Sequence, residues 1–127
     1  MKLVCDTSIL IDKLRGGKKW DEFLAGVGND VELYLPSIVV FELYSGQSSK
    51  NKEVEKHLSR VVGHFEVVEL TRKISKIAGE IYRDQAKDLE VPDYIVAATA
   101  LEMDAEVVTL NKKHFNKIEG LRIFEWK

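Results

Sequence analysis

The sequence predicts an α/β protein, a three-layer α/β/α sandwich with a central, mostly parallel sheet. Short apolar runs of strand length alternate along the chain with longer amphipathic stretches that are typical of helices. Strands separated by helices favour parallel pairing, with helices covering both faces of the sheet. No internal repeat, low-complexity segment or linker interrupts this alternation. We therefore expect residues 1–127 to form one domain.

The chain begins with the apolar run KLVC, residues 2–5, which predicts a buried strand. A helix over residues 7–15 should follow and end at the pair Gly16 and Gly17. Residues 18–27 predict a second, amphipathic helix whose large apolar side chains are Trp20, Phe23 and Leu24.

The next strand is predicted over residues 31–35, in the run VELYL. Pro36 stands where a helix can begin, and the helix over 37–46 should end at a glycine. Residues 50–62 predict a charged helix with an apolar stripe of Val54, Leu58, Val61 and Val62.

The second half of the chain continues the alternation with a strand over residues 65–70. Thr71 begins a long helix, and Pro92 opens another in the segment PDYIVAATALEMDA. Residues 106–110 and 121–126 predict the last two strands, with the short segment NKKHF between them. The apolar face of the helix after Thr71 consists of Ile74, Ile77, Ala78, Ile81 and Tyr82.

The composition excludes several classes of protein. Cys5 is the single cysteine, so no internal disulfide can form, and no Cys/His grouping has zinc spacing. No run of eighteen apolar residues is present, and the N-terminus is unlike a secretory signal, so we expect a cytoplasmic protein. With 19 basic and 21 acidic residues the net charge is −2, which neither indicates nor excludes a nucleic-acid ligand.

Three acidic residues are candidate ligands, one after the first strand, one on a helix predicted to be buried and one at the start of another buried helix. Asp6 comes directly after the first strand, although it could serve only as a helix N-cap. Glu42 lies in the otherwise apolar run 38–44, which predicts a buried helix, and a buried carboxylate needs a salt bridge or a metal ion. Asp93 occupies the first turn of an apolar helix, where it could simply complement the helix dipole. Shared metal binding accounts for all three at once.

Short polar residues end the strand EVVTL. Thr109 and Asn111 could orient a water or accept a hydrogen bond from a ligand, or they could serve only as turn residues. They complete the set of residues that we expect near the acidic pocket.

Four motifs resemble those of PIN-domain nucleases. VCDTSILID is similar to the first motif of that family, SIVVFELYSG to the second, VPDYIVAATAL to the third and VVTLNKKHF to the fourth. Their order and spacing agree over residues 2–126, and the size and the Glu-Leu-x-x-Gly form most resemble VapC-type toxins. One departure is that Asn111 and His114 stand where many family members carry an acid.

The resemblance implies hydrolysis of RNA phosphodiester bonds with Mg²⁺ or Mn²⁺, by in-line attack of a water that the metal activates. Asp6, Glu42 and Asp93 would then be metal ligands, and Asn111 would orient water or a neighbouring contact. The hydroxyls of Thr7, Ser8 and Thr109 are expected to fix the carboxylates by hydrogen bonds. Cations expected to hold RNA phosphates are Lys112 and Lys113, with Arg15 or Lys13 as further candidates.

The resemblance also implies two protein contacts, a homodimer and a small antitoxin that blocks the acidic site. The apolar-rich helices over 20–27 and 50–62 are candidate surfaces for them, although such faces can equally pack on the chain's own core. Two alternatives stay open, a PIN-like module that binds RNA or a partner without cutting, and a phosphorelay receiver domain. Only Asp6 follows strand one, which disfavours the receiver domain, and no glycine-rich nucleotide-binding fingerprint is present.

Overall fold

Five short strands form the centre of the protein, whose computed structural model describes residues 1–126 apart from the side chain of Gln47. The predicted domain, residues 1–127, extends to Lys127, which lies outside the described residues. The strands are β1 (Lys2–Cys5), β2 (Glu32–Pro36), β3 (Glu66–Val68), β4 (Glu106–Val108) and β5 (Arg122–Ile123). Their order in the sheet is β3-β2-β1-β4-β5, and each neighbouring pair is parallel.

Seven α-helices flank this sheet, so the predicted sandwich architecture is confirmed. They are α1 (Thr7–Leu14), α2 (Lys19–Gly26), α3 (Ser37–Ser45), α4 (Lys52–Val62), α5 (Arg72–Asp84), α6 (Val91–Met103) and α7 (Lys112–Phe115). A short 3-10 helix, Gln47–Lys50, separates α3 from α4. Of the helices described, none has the length and apolar character needed to cross a membrane.

Strand β1 and helix α6 form the middle of the core. Leu3, Val4 and Cys5 are fully buried, because β1 has a strand on each side and helices over its faces. Helix α6 packs against β1, β2 and β4, and the run from Tyr94 to Ala100 is buried throughout. The prediction that this helix lies deep in the core is therefore confirmed.

The strand order excludes the receiver-domain alternative. Receiver domains have the flavodoxin-like order 2-1-3-4-5, in which the third strand lies beside the first. Here β4 takes that place, with Leu3 opposite Glu106 and Val4 opposite Val107. The connection from β3 therefore crosses the sheet to β4 on the far side of β1.

Three strands are shorter than predicted, because hydrogen bonding to the neighbouring strand ends before the apolar run in the sequence does. The strands expected over 65–70, 106–110 and 121–126 contain three, three and two paired residues respectively. Beyond the pairing, Leu70 and Leu110 are exposed. Pro36 is both the last residue of β2 and the N-cap of α3, so the helix does begin directly after it and end at Gly46, as predicted.

Helix α3 is the clearest correction to the sequence-based expectation. It was predicted to be buried on nearly all sides, but only Val39 and Leu43 are buried within it. Phe41 is 67% exposed and Tyr44 38%, because α3 packs on its neighbours with one face and leaves the other open. Glu42 is consequently half-buried rather than enclosed.

Candidate active site

The carboxylate of Asp6 is held at the end of β1 by bonds to both of its oxygens. Its backbone N–H donates to the carbonyl oxygen of Val108 at 3.1 Å, which extends the pairing of β1 with β4 by one residue. Oδ1 accepts from the Ser8 N–H at 3.0 Å and from Ser8 Oγ at 2.6 Å, so Asp6 does cap α1. Oδ2 accepts from Thr109 Oγ1 at 2.6 Å.

Asp6 is only 4% exposed, and burial raises its pKa above the ordinary value. The hydrogen bonds from Ser8 and Thr109 oppose this rise, whereas the negative charge of Asp93 adds to it. A simple helix cap is usually exposed and does not need a second hydroxyl from another strand. The N-cap role alone therefore does not account for this carboxylate.

The other two acidic side chains, Glu42 and Asp93, belong to two separate helices. Glu42, on α3, accepts a hydrogen bond at Oε1 from the hydroxyl of Thr7 in the first turn of α1. Asp93, in the first turn of α6, accepts at Oδ2 from the Glu90 N–H at 3.3 Å. Burial raises the pKa of Asp93, while that N–H and His114 lower it.

Asn111 and Thr109 lie next to Asp6, at the end of β4. Thr109 is fully buried, and its Oγ1 accepts from the Asn111 N–H at 2.9 Å while donating to Asp6. Asn111 precedes α7, where its side chain makes no capping hydrogen bond. Its amide is therefore available at the pocket rather than committed to the helix.

One open pocket of about 350 Å³ gathers these groups. Its wall includes Asp6, Glu42 and Asp93, and it also includes Thr7, Ser8 and Asn111. Apolar contacts that were not predicted come from Ile11, Pro92 and Val96. Val96 could have been found from the sequence, because it lies one helical turn after Asp93 and shares its face.

The donor set fits a hydrated magnesium-type ion. Within residues 1–126, no group of three or more His, Cys, Asp and Glu side chains is placed so that all of them could hold one metal ion. Mg²⁺ does not need such a group, because it is usually held by one or two carboxylates and keeps several waters. Three carboxylates around one open pocket, two of them with burial-raised pKa values, suit a cation that would offset their repulsion.

The predicted phosphate-binding lysines do not lie on the wall of this pocket. The Lys112 ammonium pairs with Glu125 and lies 5.5 Å from the centre of the Trp126 ring, beside a different groove. Lys13 pairs with Asp21, and Lys113 is exposed. Arg15 does line the acidic pocket. His114 lies outside the wall, with Nδ1 3.7 Å from Asp93 Oδ2.

Of the two roles considered for the apolar faces of the helices at 20–27 and 50–62, the structure shows packing on the chain's own core. On α2, Trp20 and Phe23 are 2% and 0% exposed, and on α4, Leu58 is 1% exposed. These side chains belong to the chain's own core, since an amphipathic helix buries its apolar stripe first against its own sheet. Leu24 is the large apolar residue that α2 leaves exposed.

The chain is similar to known proteins along most of its length. The model of the PIN domain matches residues 3–121. Ribonuclease VapC19 of Mycobacterium tuberculosis is 35% identical over 127 aligned residues, which cover 96% of this chain and 98% of that protein. Ribonuclease VapC10 of the same organism is 28% identical and covers 94% of this chain and 90% of its own length.

Solved structures share the fold along the whole chain. The structure of VapBC2 from Rickettsia felis bound to a promoter DNA fragment has a TM-score of 0.84 at 21% identity, with all of both chains covered. VapBC-1 from nontypeable Haemophilus influenzae has a TM-score of 0.78 at 21% identity, covering 99% of this chain and 98% of the other. Given the domain match over nearly the whole chain and a relative of 35% identity, the chain belongs to the PIN-domain family.

Proposed function

We propose that the protein is a divalent-metal-dependent ribonuclease and the toxin of a type II toxin–antitoxin pair. The observation that carries the proposal is a pocket at the carboxyl ends of parallel strands, lined by Asp6, Glu42 and Asp93. It is supported by the 35% identity to a protein named Ribonuclease VapC19, over almost the full length of both chains.

In the proposed site, Asp6, Glu42 and Asp93 would hold Mg²⁺ or Mn²⁺, directly or through water. When bound, the ion would supply a more acidic water and would neutralise charge on the phosphate and the leaving oxygen. In the proposed hydrolysis, water would attack phosphorus in line as the bond from phosphorus to the leaving oxygen breaks, and the attacking water would lose a proton while the leaving oxygen takes one up.

The protein's own residues orient these groups. Ser8 and Thr109 hold the two oxygens of Asp6, and the hydroxyl of Thr7 holds Glu42. These bonds keep each carboxylate rotamer fixed, which is how neighbouring hydroxyls tune a metal site. The amide of Asn111, on the pocket wall and without a capping bond, orients the attacking water or an RNA oxygen.

The proposal includes a homodimer, a small antitoxin that blocks the acidic pocket, and action in the cytoplasm, where a toxin of this kind meets RNA. Support for the antitoxin comes from solved structures whose names describe toxin–antitoxin complexes, among them one from Klebsiella pneumoniae. That chain has a TM-score of 0.76 at 24% identity.

The test is RNA cleavage by the purified protein and by its Asp93→Asn variant, prepared in parallel. A matched control is Asp104→Asn, which changes an exposed acid at the other end of α6. Asp104 has a φ of 54°, a conformation that asparagine adopts readily, so this control should fold normally. We expect metal-dependent cleavage by the wild type and by the control, and none by Asp93→Asn. Equal cleavage by all three proteins would indicate a contaminating ribonuclease and contradict the proposal.

A second candidate is a PIN-like module that binds RNA or a partner without cutting it. Asn111 favours it, because many family members carry an acid at this place and an amide cannot add to the ligand charge. RNA binding by the wild type without cleavage in either metal, across varied RNAs, would support this candidate against the nuclease.

A further inference from the structure

Four cations close to the acidic residues in sequence differ in what they contact. Lys13 Nζ lies 3.1 Å from Asp21 Oδ1 and borders a different groove, beside His57. Lys112 is paired with Glu125 and placed over Trp126. Lys113 is exposed but does not contribute to the acidic pocket, whereas Arg15 lies on its wall. The structure therefore separates candidates that the sequence could not rank.

The backbone around Arg15 is fixed by hydrogen bonds at the end of α1. The Arg15 N–H donates to the carbonyl oxygens of Ile11 and Asp12, at 3.0 and 3.2 Å. The next two N–H groups, of Gly16 and Gly17, donate back to the last turn at 3.1 and 2.8 Å. Gly16 has a φ of 84°, a conformation that glycine adopts without strain, and Arg15 directly before it lines the pocket.

Arg15 lies on the wall of the pocket that the three carboxylates also line. Across residues 1–126, no carboxylate lies within 4.0 Å of its nitrogens as an ion pair, although Lys13 and Lys112 are both paired. Arg15 is exposed, so its side chain can turn toward a ligand that enters the pocket. A guanidinium is always charged, and its fork of donors matches the geometry of two phosphate oxygens.

We propose that Arg15 binds a phosphodiester group of the RNA substrate through its non-bridging oxygens, at the side of the acidic pocket. This proposal rests on the ribonuclease function proposed above. It assigns to Arg15 the phosphate contact that the sequence placed on Lys112 and Lys113. It also explains how an RNA can approach a chain of net charge −2, because Arg15, which has no ion pair among residues 1–126, lies on the wall of the acidic pocket.

A rival role for Arg15 is compensation of the carboxylate charge, without contact to substrate. The two roles differ in how binding responds to salt. A phosphate contact releases a counterion, so its removal lowers the slope of log affinity against log salt by about 0.7 for single-stranded RNA. A charge compensator alters metal affinity and leaves that slope unchanged.

The experiment measures binding of a labelled single-stranded RNA that contains a cleavage site mapped with the wild type. Binding is measured at several salt concentrations with Mg²⁺ present, in the Asp93→Asn background so that the RNA stays intact. The variants added to it are Arg15→Gln, Arg15→Lys and, as a control, Lys76→Gln. Lys76 pairs with Glu80 on α5, which contributes no residue to the pocket. Thermal melting confirms that each variant is folded, and calorimetry without RNA gives its affinity for Mn²⁺.

We expect Arg15→Gln to weaken RNA binding by about tenfold or more, the effect of losing charge-assisted hydrogen bonds. The salt slope should fall by about 0.7 in Arg15→Gln and be retained in Arg15→Lys, which keeps the charge but not the fork. Lys76→Gln should match the background protein. An unchanged slope in Arg15→Gln, an equal fall in Lys76→Gln, or a change confined to Mn²⁺ affinity would overturn the assignment. Failure of the wild type to cut any RNA would instead overturn the proposed function.

Discussion

Replacing Thr109 by valine removes one buried hydroxyl while nearly keeping the shape of the side chain. Thr109 Oγ1 donates to Asp6 Oδ2 at 2.6 Å, and a hydrogen bond to a charged group stabilises a protein by about 1.5–3 kcal/mol. Its loss leaves that oxygen of a carboxylate that is 4% exposed without its donor, and the Asn111 N–H loses an acceptor. We expect the free energy of unfolding at pH 7, without metal, to fall by about 2–3 kcal/mol.

The loss of unfolding free energy caused by Thr109→Val should increase with pH. Burial raises the folded-state pKa of Asp6 above its ordinary value of 3.8, so the native state binds the proton more readily than the unfolded state between the two pKa values. Asp6 therefore makes stability fall as pH rises through that window. The hydrogen bond from Thr109 lowers the pKa of Asp6 and so opposes the effect of burial. The valine variant lacks this bond and therefore loses more stability than the wild type over the same pH window. Below the ordinary value the carboxyl is protonated in both states, and the cost falls to about 0.5–1.5 kcal/mol, as for a neutral hydrogen bond.

Urea unfolding at pH 3.5 and pH 7 in the presence of a chelator measures both values. Thr99→Val is the matched control, because Thr99 is equally buried and donates to the carbonyl oxygen of Ile95 at 2.7 Å, within α6. No charge is involved there, so its effect should be the same at both pH values. An equal loss for Thr109→Val at the two pH values would refute the reasoning that the hydroxyl stabilises a charged Asp6.

Three further predictions concern the metal, a helix and the core. Mn²⁺ at ten times its dissociation constant should raise the free energy of unfolding of the wild type by about 1.4 kcal/mol, but not that of Asp6→Asn. An equal response of the two proteins in a thermal-shift assay would argue against Asp6 as a ligand. Gly79 lies within α5, and a Cβ added there would have no atom within 4 Å. Gly79→Ala should therefore raise the free energy of unfolding, measured in urea, by about 0.5–1 kcal/mol, and a decrease would contradict this. Phe115→Ala, at a fully buried position, should lower the free energy of unfolding by about 3–5 kcal/mol. Phe41→Ala, at an exposed position, should change it by under about 0.5 kcal/mol. Similar losses for the two variants would contradict this difference in burial.

The fold class could be predicted because the relevant signals are local. The run KLVC at residues 2–5 has the length and apolarity of a central strand, and it is the central strand. The ends of strands were less predictable, since pairing of Val68 with Pro36 depends on a neighbour more than thirty residues away. The exposure of Phe41 was also out of reach, because an apolar run shows that a helix can be buried but not which side finds a partner.

The site shows the same division between local and distant causes. Asp6 after a strand and Asp93 at a helix start could be placed at one edge of the sheet from their positions alone. Their roles as metal ligands stay predictions. The position of Lys112 could not be foreseen, because its ion pair with Glu125 spans 13 residues and depends on how the last strand folds back. Arg15 could be named only as a further candidate after Lys112 and Lys113, since the sequence does not show which cations are already paired.

The two oxygens of Asp6 are fixed by residues made at very different times. Ser8 follows two positions later, but Thr109 follows after 103 residues. A ribosome adds roughly 5–20 residues per second, so Asp6 is synthesised some seconds before β4 can pair with β1. Until then the growing polypeptide has neither the Thr109 contact nor the wall that Asn111 contributes. Translation thus separates synthesis of the first acid from assembly of the pocket, and a chain that has not yet reached Thr109 lacks part of the site.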